Sequence, residues 1–303
     1  MVTTEGSRTS RRGQLLATGA LLLTTASWGS TFFLIKDLLD RVPTLDFLAV
    51  RFTIAGLVTL VVMHRAVFAL DREAWRRSGV LGLVYGVAQI LQTAGLAHTP
   101  ASVSGFVTGM YVVCTPLLAS LVLHTRITRM TWAAVALATA GLALLTLDGF
   151  SVGYGEAITF VAAVLYALHI VALGAWSRAE DALGLSVVQL LVIAVVCLVA
   201  TAPDGIVLPD RPGDWLAIVY MALVAGAGAL AAQTWAQSQL SPTRTAIIMS
   251  TEPVFAALFA VLLGGESLTS RMLLGGVLVL AAMLLVELGP RRKVEGEVQH
   301  LTV

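Results

Sequence analysis

The sequence predicts an all-α polytopic membrane protein of ten transmembrane helices, built as two inverted five-helix repeats. Three observations carry that expectation. The composition is too apolar for water, the apolar residues fall in runs of spanning length, and Lys and Arg alternate in density between successive loops.

Hydrophobic residues make up 57% of the 303 and charged residues 12%, with a mean hydropathy of +0.88. A soluble domain carries about 25% charged residues because its surface must be wetted. This chain has the apolar matter for a large soluble core and too few charges to cover one. The alternative solvent is lipid, where backbone polar groups must be satisfied inside the protein. The formal net charge of +1 points to no nucleic-acid partner. The expected partners are a small-molecule substrate and the lipid bilayer, with the chain a monomer or a homodimer. Cys114 and Cys197 fall in apolar runs, which disfavours a disulfide framework, and neither has a metal-ligand neighbour. No cofactor is expected.

A spanning helix needs about 20 mostly apolar residues. Such runs place helices at 14–36, 44–64, 79–98, 102–123, 130–147, 156–177, 183–202, 214–237, 243–263 and 270–288. The fifth is short and precedes the Gly- and Ser-containing loop from Asp148 to Gly155. The first, from Leu15 to Ile35, spans and has no small-residue cleavage site after it. The tail after Pro290 reads as disordered and cytoplasmic. With a cytoplasmic N-terminus and ten crossings, inside segments hold fourteen basic residues, Arg72, Arg76 and Arg77 among them. Outside segments hold four: Lys36, Arg41, Arg211 and Arg271. That asymmetry predicts a cell-membrane (plasma or inner) protein with both termini cytoplasmic.

The chain also looks duplicated, with a period near 140 residues. Trp28 and Tyr166 occupy matching places, as do Arg51 and Gln189. TPASVSGFVTG from Thr99 resembles LSPTRTAIIMS from Leu240. The expected division is 1–147 for the first repeat, 148–290 for the second and 291–303 for the tail. Five helices per repeat is odd, so the second copy must insert upside down. Inverted repeats meeting at the midplane characterise secondary transporters working by alternating access.

Several segments resemble EamA-type members of the drug/metabolite transporter superfamily. They are WGSTFFLIK from Trp28, FLAVRF around Arg51, SVSGFVTGMYVVCTPLLASLVL from Ser102 and STEPVFAALFAVLLGGESLT from Ser250. The first-repeat loop reads His124-Thr125 where that family has Gly-Glu. The resemblance implies ten helices, two EamA repeats, cytoplasmic termini, and export or exchange of small metabolites, often amino acids.

Candidate functional residues are polar groups at bilayer depth, where an ionisable side chain costs at least about 2.5–3.5 kcal/mol. Arg51 reads as an anchor for a substrate carboxylate or phosphate through its guanidinium fork, or as a helix-bridging Arg on loop carbonyls or Asp46. Glu252, directly before Pro253, reads as a proton-coupling carboxylate or as a cap for backbone groups freed by the proline. His169, one turn after Tyr166, is expected to be a satisfied structural group. Lys36 is either a snorkelling Lys or a cation at a cavity mouth.

Polar stripes extend the set. They are Ser104, Thr108, Tyr111 and Thr115 in helix four, Tyr85, Gln89 and Gln92 in helix three, Gln233 and Gln237 in helix eight, and Thr24, Ser27 and Thr31 in helix one. Interhelical hydrogen bonding suffices for Ser and Thr, at about 0.6 kcal/mol per contact. The larger Gln and Tyr side chains favour a central aqueous cavity, with Trp28 and Tyr166 in its wall. The small-residue run from Ala225 reads as close helix packing. The other functions weighed are an intramembrane enzyme and a non-transporting receptor or scaffold. The sequence has no His-Glu-x-x-His, Gly-x-Ser-x-Gly or paired Asp-rich motif for the first. A scaffold would not require polar faces in both repeats.

Overall fold

The computed structural model describes residues 11–123, 128–146, 153–203, 205–265 and 267–288. The tail from 291, the His124-Thr125 pair and most of the loop that begins at Asp148 lie outside them. Every regular element among the described residues is a helix.

Helices α1 (Arg11–Leu39), α2 (Thr44–Phe68, kinked at Met63), α3 (Arg72–Ala97), α7 (Tyr154–Trp176) and α8 (Ala182–Thr201) are each long enough to cross a bilayer. Three further spans are interrupted. The first is α4 (Ala101–Thr108) followed by α5 (Tyr111–Leu123). The second runs from α9 (Pro212–Ala222) through a π-helical segment (Leu223–Gly228) to α10 (Ala229–Gln237). The third is α11 (Pro242–Met249) followed by α12 (Glu252–Leu262). Among the described residues, eight spans therefore have the length and apolarity to cross a membrane. Two more helices, α6 (Arg129–Thr146) and α13 (Ser270–Leu288), pack against each other.

Local chemistry fixes where these helices begin. The Asp71 carboxylate accepts the Ala74 amide at 2.7 Å and caps α3. Ser241 caps α11 in the same way, and Pro242 occupies its first turn, where no amide partner is needed. Pro43 and Pro100 precede α2 and α4.

The halves interleave. Helix α2 lies along α8, α3 along α7 and α8, and α1 against α10 and α12, while α4 meets α12 and α5 meets α11. Close approach depends on glycine. A Cβ at Gly29 would stand 2.6 Å from the Phe255 Cβ and 2.8 Å from the Ala256 amide nitrogen, so α1 rests directly on the backbone of α12.

Polar ties join the two halves at the ends of α1 and α9. Arg41 donates to Asp214 at 2.7 and 3.2 Å and to Asp37 at 2.6 and 3.3 Å. The carboxylates of Asp214 and Asp37 hold its guanidinium still more firmly in the charged form than usual. Nearby, Asp46 accepts the Thr201 hydroxyl and, at 2.9 Å, the Val207 amide. Asp46 is thus committed to the α8–α9 loop and does not pair with Arg51.

The Gly29 contact yields an expected outcome. Gly29→Leu should abolish the monodisperse peak in detergent size-exclusion chromatography, because backbone at 2.8 Å cannot yield as a flexible side chain can. Gly19→Ala, with nothing within 4 Å of the added methyl, should keep both the peak and the melting temperature. A monodisperse Gly29→Leu protein with unchanged melting would show that the α1–α12 approach is not tight.

Candidate functional site

The interrupted spans meet around one cavity, whose empty space amounts to about 600 Å³ counting its open mouth. It lies between the halves, walled by α1, α2, α3, the α4–α5 break, α7, α10 and the α11–α12 break. Twelve of the residues singled out from sequence line it: Trp28, Thr31, Arg51, Tyr85, Gln89, Gln92, Thr108, Tyr111, Tyr166, His169, Gln233 and Glu252.

Lys36 is not in the cavity wall. Its ammonium donates to the Leu96 and Ala97 carbonyls, at 3.0 Å each, and so caps the end of α3. The correction has a simple cause. A helix C-terminus offers unpaired carbonyls and negative dipole, which satisfy a long cation before it can turn to a cavity. Leu96 itself lines the cavity, so Lys36 acts on the rim from behind.

Pro253 organises the α11–α12 break. A continuous helix would send an amide from position 253 to the Met249 carbonyl, and proline has none. Tyr111 supplies the missing donor: its hydroxyl meets the Met249 oxygen at 2.5 Å and lies 3.3 Å from Glu252 Oε2. Glu252 therefore does not cap the backbone that the proline frees. It is the first residue of α12, 5% exposed, and its hydrogen bond among the described residues is with Tyr111. Thr251 completes the break, its hydroxyl shared with Thr25 at 3.0 Å and donated to Ile248 at 2.9 Å.

The run from Ala225 is a π segment as well as a close-packed one. A π turn bonds residue i to i+5, which takes carbonyls off the α ladder. Two side chains from the other half reach them. Trp28 Nε1 donates to the Ala225 carbonyl at 2.7 Å, and Arg51 Nε donates to the Met221 carbonyl at 3.2 Å.

Arg51 is 4% exposed and also sits by the Phe52 and Phe47 rings, at 5.1 and 5.9 Å from their centroids. No carboxylate lies within 4.0 Å of it among the described residues. Its bridging bond uses Nε alone, leaving both Nη nitrogens without a protein acceptor among those residues. Expected as either an anchor or a bridge, Arg51 bridges on one edge and presents the other.

The rest of the wall is wired internally. Gln92 accepts from the Tyr166 hydroxyl at 2.8 Å and donates to the Thr108 hydroxyl at 3.1 Å. Tyr85 sets its ring edge-on to Tyr166 and His169, with centroids 5.4 and 4.9 Å away. His169 Nε2 lies 2.8 Å from Gln189 Oε1, and the same amide donates through Nε2 to Leu185 at 3.1 Å. With that amide orientation His169 must donate through Nε2, and it does so from the cavity wall. Gln233 donates to Gln237 at 2.9 Å, and Gln237 to the Ile170 carbonyl at 2.8 Å. The carbonyl oxygen of Gln233 is buried without a partner.

Six further residues line the cavity: Phe32, Ile35, Thr93, Leu96, Ile170 and Met249. Thr93 extends the Tyr85–Gln89 stripe by one turn and was within reach of the periodicity. The apolar five carry no such signal, since Phe or Ile facing a cavity reads the same as one facing lipid or core. Conversely Ser104, Thr115 and Thr24, which are buried, and half-buried Ser27, all from the same stripes, lie outside the cavity wall, with hydroxyls that have no partner among the described residues. Among the described residues no group of three His, Cys, Asp or Glu could hold a metal ion.

Comparison with known proteins agrees with this architecture. A solved crystal structure superposes with a TM-score of 0.73 at 19% identity, covering 91% of this chain and 96% of its own, which shows the fold. An uncharacterized transporter of Archaeoglobus fulgidus is 29% identical over 280 residues, covering 91% of this chain and 87% of that protein. The uncharacterized inner membrane transporter YedA of Escherichia coli (strain K12) is 26% identical over 281 residues, covering 89% and 90% respectively. The model of the EamA-like transporter family matches twice, over residues 15–147 and 153–288. Both halves that enclose the cavity are thus copies of one unit, and this multi-pass membrane protein belongs to the EamA-like transporter family.

Proposed function

We propose that the protein is a secondary exporter or exchanger of small polar or amphipathic metabolites, amino acids among them, working by alternating access around the cavity. One observation carries the substrate class. A buried guanidinium in the cavity wall has two unpaired nitrogens and no carboxylate partner among the described residues. A cation at bilayer depth needs a partner or a purpose, and the open fork of Arg51 matches a carboxylate. Tyr85, Tyr111, Tyr166 and Trp28 give the same cavity an aromatic wall suited to an amphipathic body. Glu252, on the opposite helix break, supplies the one carboxylate and is the candidate for proton coupling.

The architecture behind this reading is ten crossings in two inverted five-helix repeats. Its support is the pairing of matched elements: α2 with α8, α6 with α13, and α3 along α7 as α1 lies along α10. Matched residues also meet. Tyr111 and Glu252, 141 positions apart, share a hydrogen bond at the two helix breaks. The basic-residue asymmetry supports cytoplasmic termini. Cysteines introduced in turn near Asp210 and near Arg76 test this in intact cells. The first should react with an impermeant maleimide and the second should not; the reverse pattern would sink the topology.

Transport itself is tested by counterflow in proteoliposomes, with each common L-amino acid labelled in turn and with variants checked for monodispersity. Arg51→Lys keeps the charge and loses the bidentate fork, so the apparent KM should rise by about tenfold or more, with a smaller change in kcat. An unchanged KM would reduce Arg51 to a helix bridge. Glu252→Gln keeps the shape and hydrogen-bonding capacity but cannot titrate. If Glu252 carries the coupled proton, this variant loses the pH dependence of flux; a profile identical to wild type would make Glu252 structural. Absence of flux for every labelled solute in the wild type would reject the amino-acid assignment.

A further inference from the structure

The π segment stands in an unusual place. Its sequence, LVAGAG, contains two glycines, and Ala225, Gly226 and Ala227 are buried against the other half. The two side chains that reach carbonyls in or just before it, Trp28 at Ala225 and Arg51 at Met221 of α9, are themselves part of the cavity wall. The same segment leads into α10, which carries Gln233 in the cavity wall and Gln237 on the Ile170 carbonyl of α7.

We propose that Leu223–Gly228 is a two-register hinge, held in its wide π form by Arg51 and Trp28, and that an anionic substrate group drawing Arg51 away releases it to the α form and turns α10. The inference rests on the reading of Arg51 as the anchor for that anionic group. A π turn holds about one residue more than an α turn, so closing it advances the following helix by one residue, roughly 100° of rotation. That rotation moves Gln233 off the wall and breaks the Gln237 contact with α7. The guanidinium cannot serve the Met221 carbonyl and a bidentate carboxylate in its best geometry at once, and this competition is what links occupancy to register. Small residues favour the change, because Ala and Gly present no bulk for the neighbouring helix to resist. Trp28 then has a double role: its ring faces the cavity, and its N–H keeps the empty site in the π register.

Hydrogen–deuterium exchange of the full-length protein in nanodiscs decides the matter. Trp28→Phe keeps the ring and removes the N–H donor. It should speed exchange of the amides of 223–228 by about fivefold, with the 85–93 stretch of α3 unchanged. Deleting Gly226 in the Trp28→Phe background removes the excess residue and should restore protection, which a mere packing defect would not allow. Unchanged exchange in Trp28→Phe, a rise spread through α1 and α3, or no rescue by the deletion would each overturn the hinge. If the Phe variant is not monodisperse, Arg51→Gln gives the same readout with the same expected rise. A second arm adds each common L-amino acid, one at a time, to the wild type. At least one should raise exchange in 223–228. If none does while Trp28→Phe does, the hinge stands and the assigned substrate class fails.

Discussion

Everything in this fold follows from one constraint: inside a bilayer, a backbone carbonyl or amide has no water to turn to. A chain that departs from the α ladder there must supply its own partners. Among the described residues it departs four times, at the Met63 kink of α2, at the α4–α5 break, at the π segment and at the α11–α12 break. At two of these, side chains from the other half complete the backbone. Tyr111 meets the carbonyl orphaned by Pro253, while Trp28 and Arg51 meet carbonyls in and beside the π turn. The irregular backbone is therefore possible only because the halves face each other, and the cavity sits where they do so.

This arrangement gives the cavity its chemistry. Residues that satisfy backbone on one side present their remaining surface to the empty space on the other. Tyr111 joins the Met249 carbonyl to the Glu252 carboxylate, and Arg51 spends Nε on Met221 while its Nη nitrogens stay open. Arg51 thus both lines the cavity and supports the irregular backbone, while Glu252 is tied to a second support, Tyr111. Substitutions at these positions will perturb both, so conservative variants that keep shape are the informative ones.

The supports differ between the halves, and the difference has consequences. Gln92 receives the Tyr166 hydroxyl, whereas its counterpart Gln233 has no donor to its carbonyl oxygen, because Trp28, in the place matching Tyr166, has turned its N–H to the π segment. Two copies of one unit thus reach unequal states within a single chain. At the ends of α1 and α9, Arg41, paired with Asp37 of its own half, binds Asp214 of the other. The cavity lies away from that ion pair, with Ile35 and Leu96 in its wall and Lys36 behind its rim.

Much of this was legible in the chain itself. Composition and run length determine a membrane solution, because they are sums over many residues and depend on no particular contact. The polar stripes of α3 and α4–α5 reveal their inward faces for a similar reason: a Gln or Tyr every third or fourth residue at bilayer depth has to face something polar. Partners are another matter. That Lys36 caps α3, that Asp46 serves the α8–α9 loop and not Arg51, and that Tyr111 rather than Glu252 answers Pro253 were all decided by tertiary structure. So was the π register of a run that reads as plain helix packing. A sequence states which groups need a partner. Which partner they find depends on residues that lie sixty or more positions away, most of them in the other half, and become neighbours only in the folded chain.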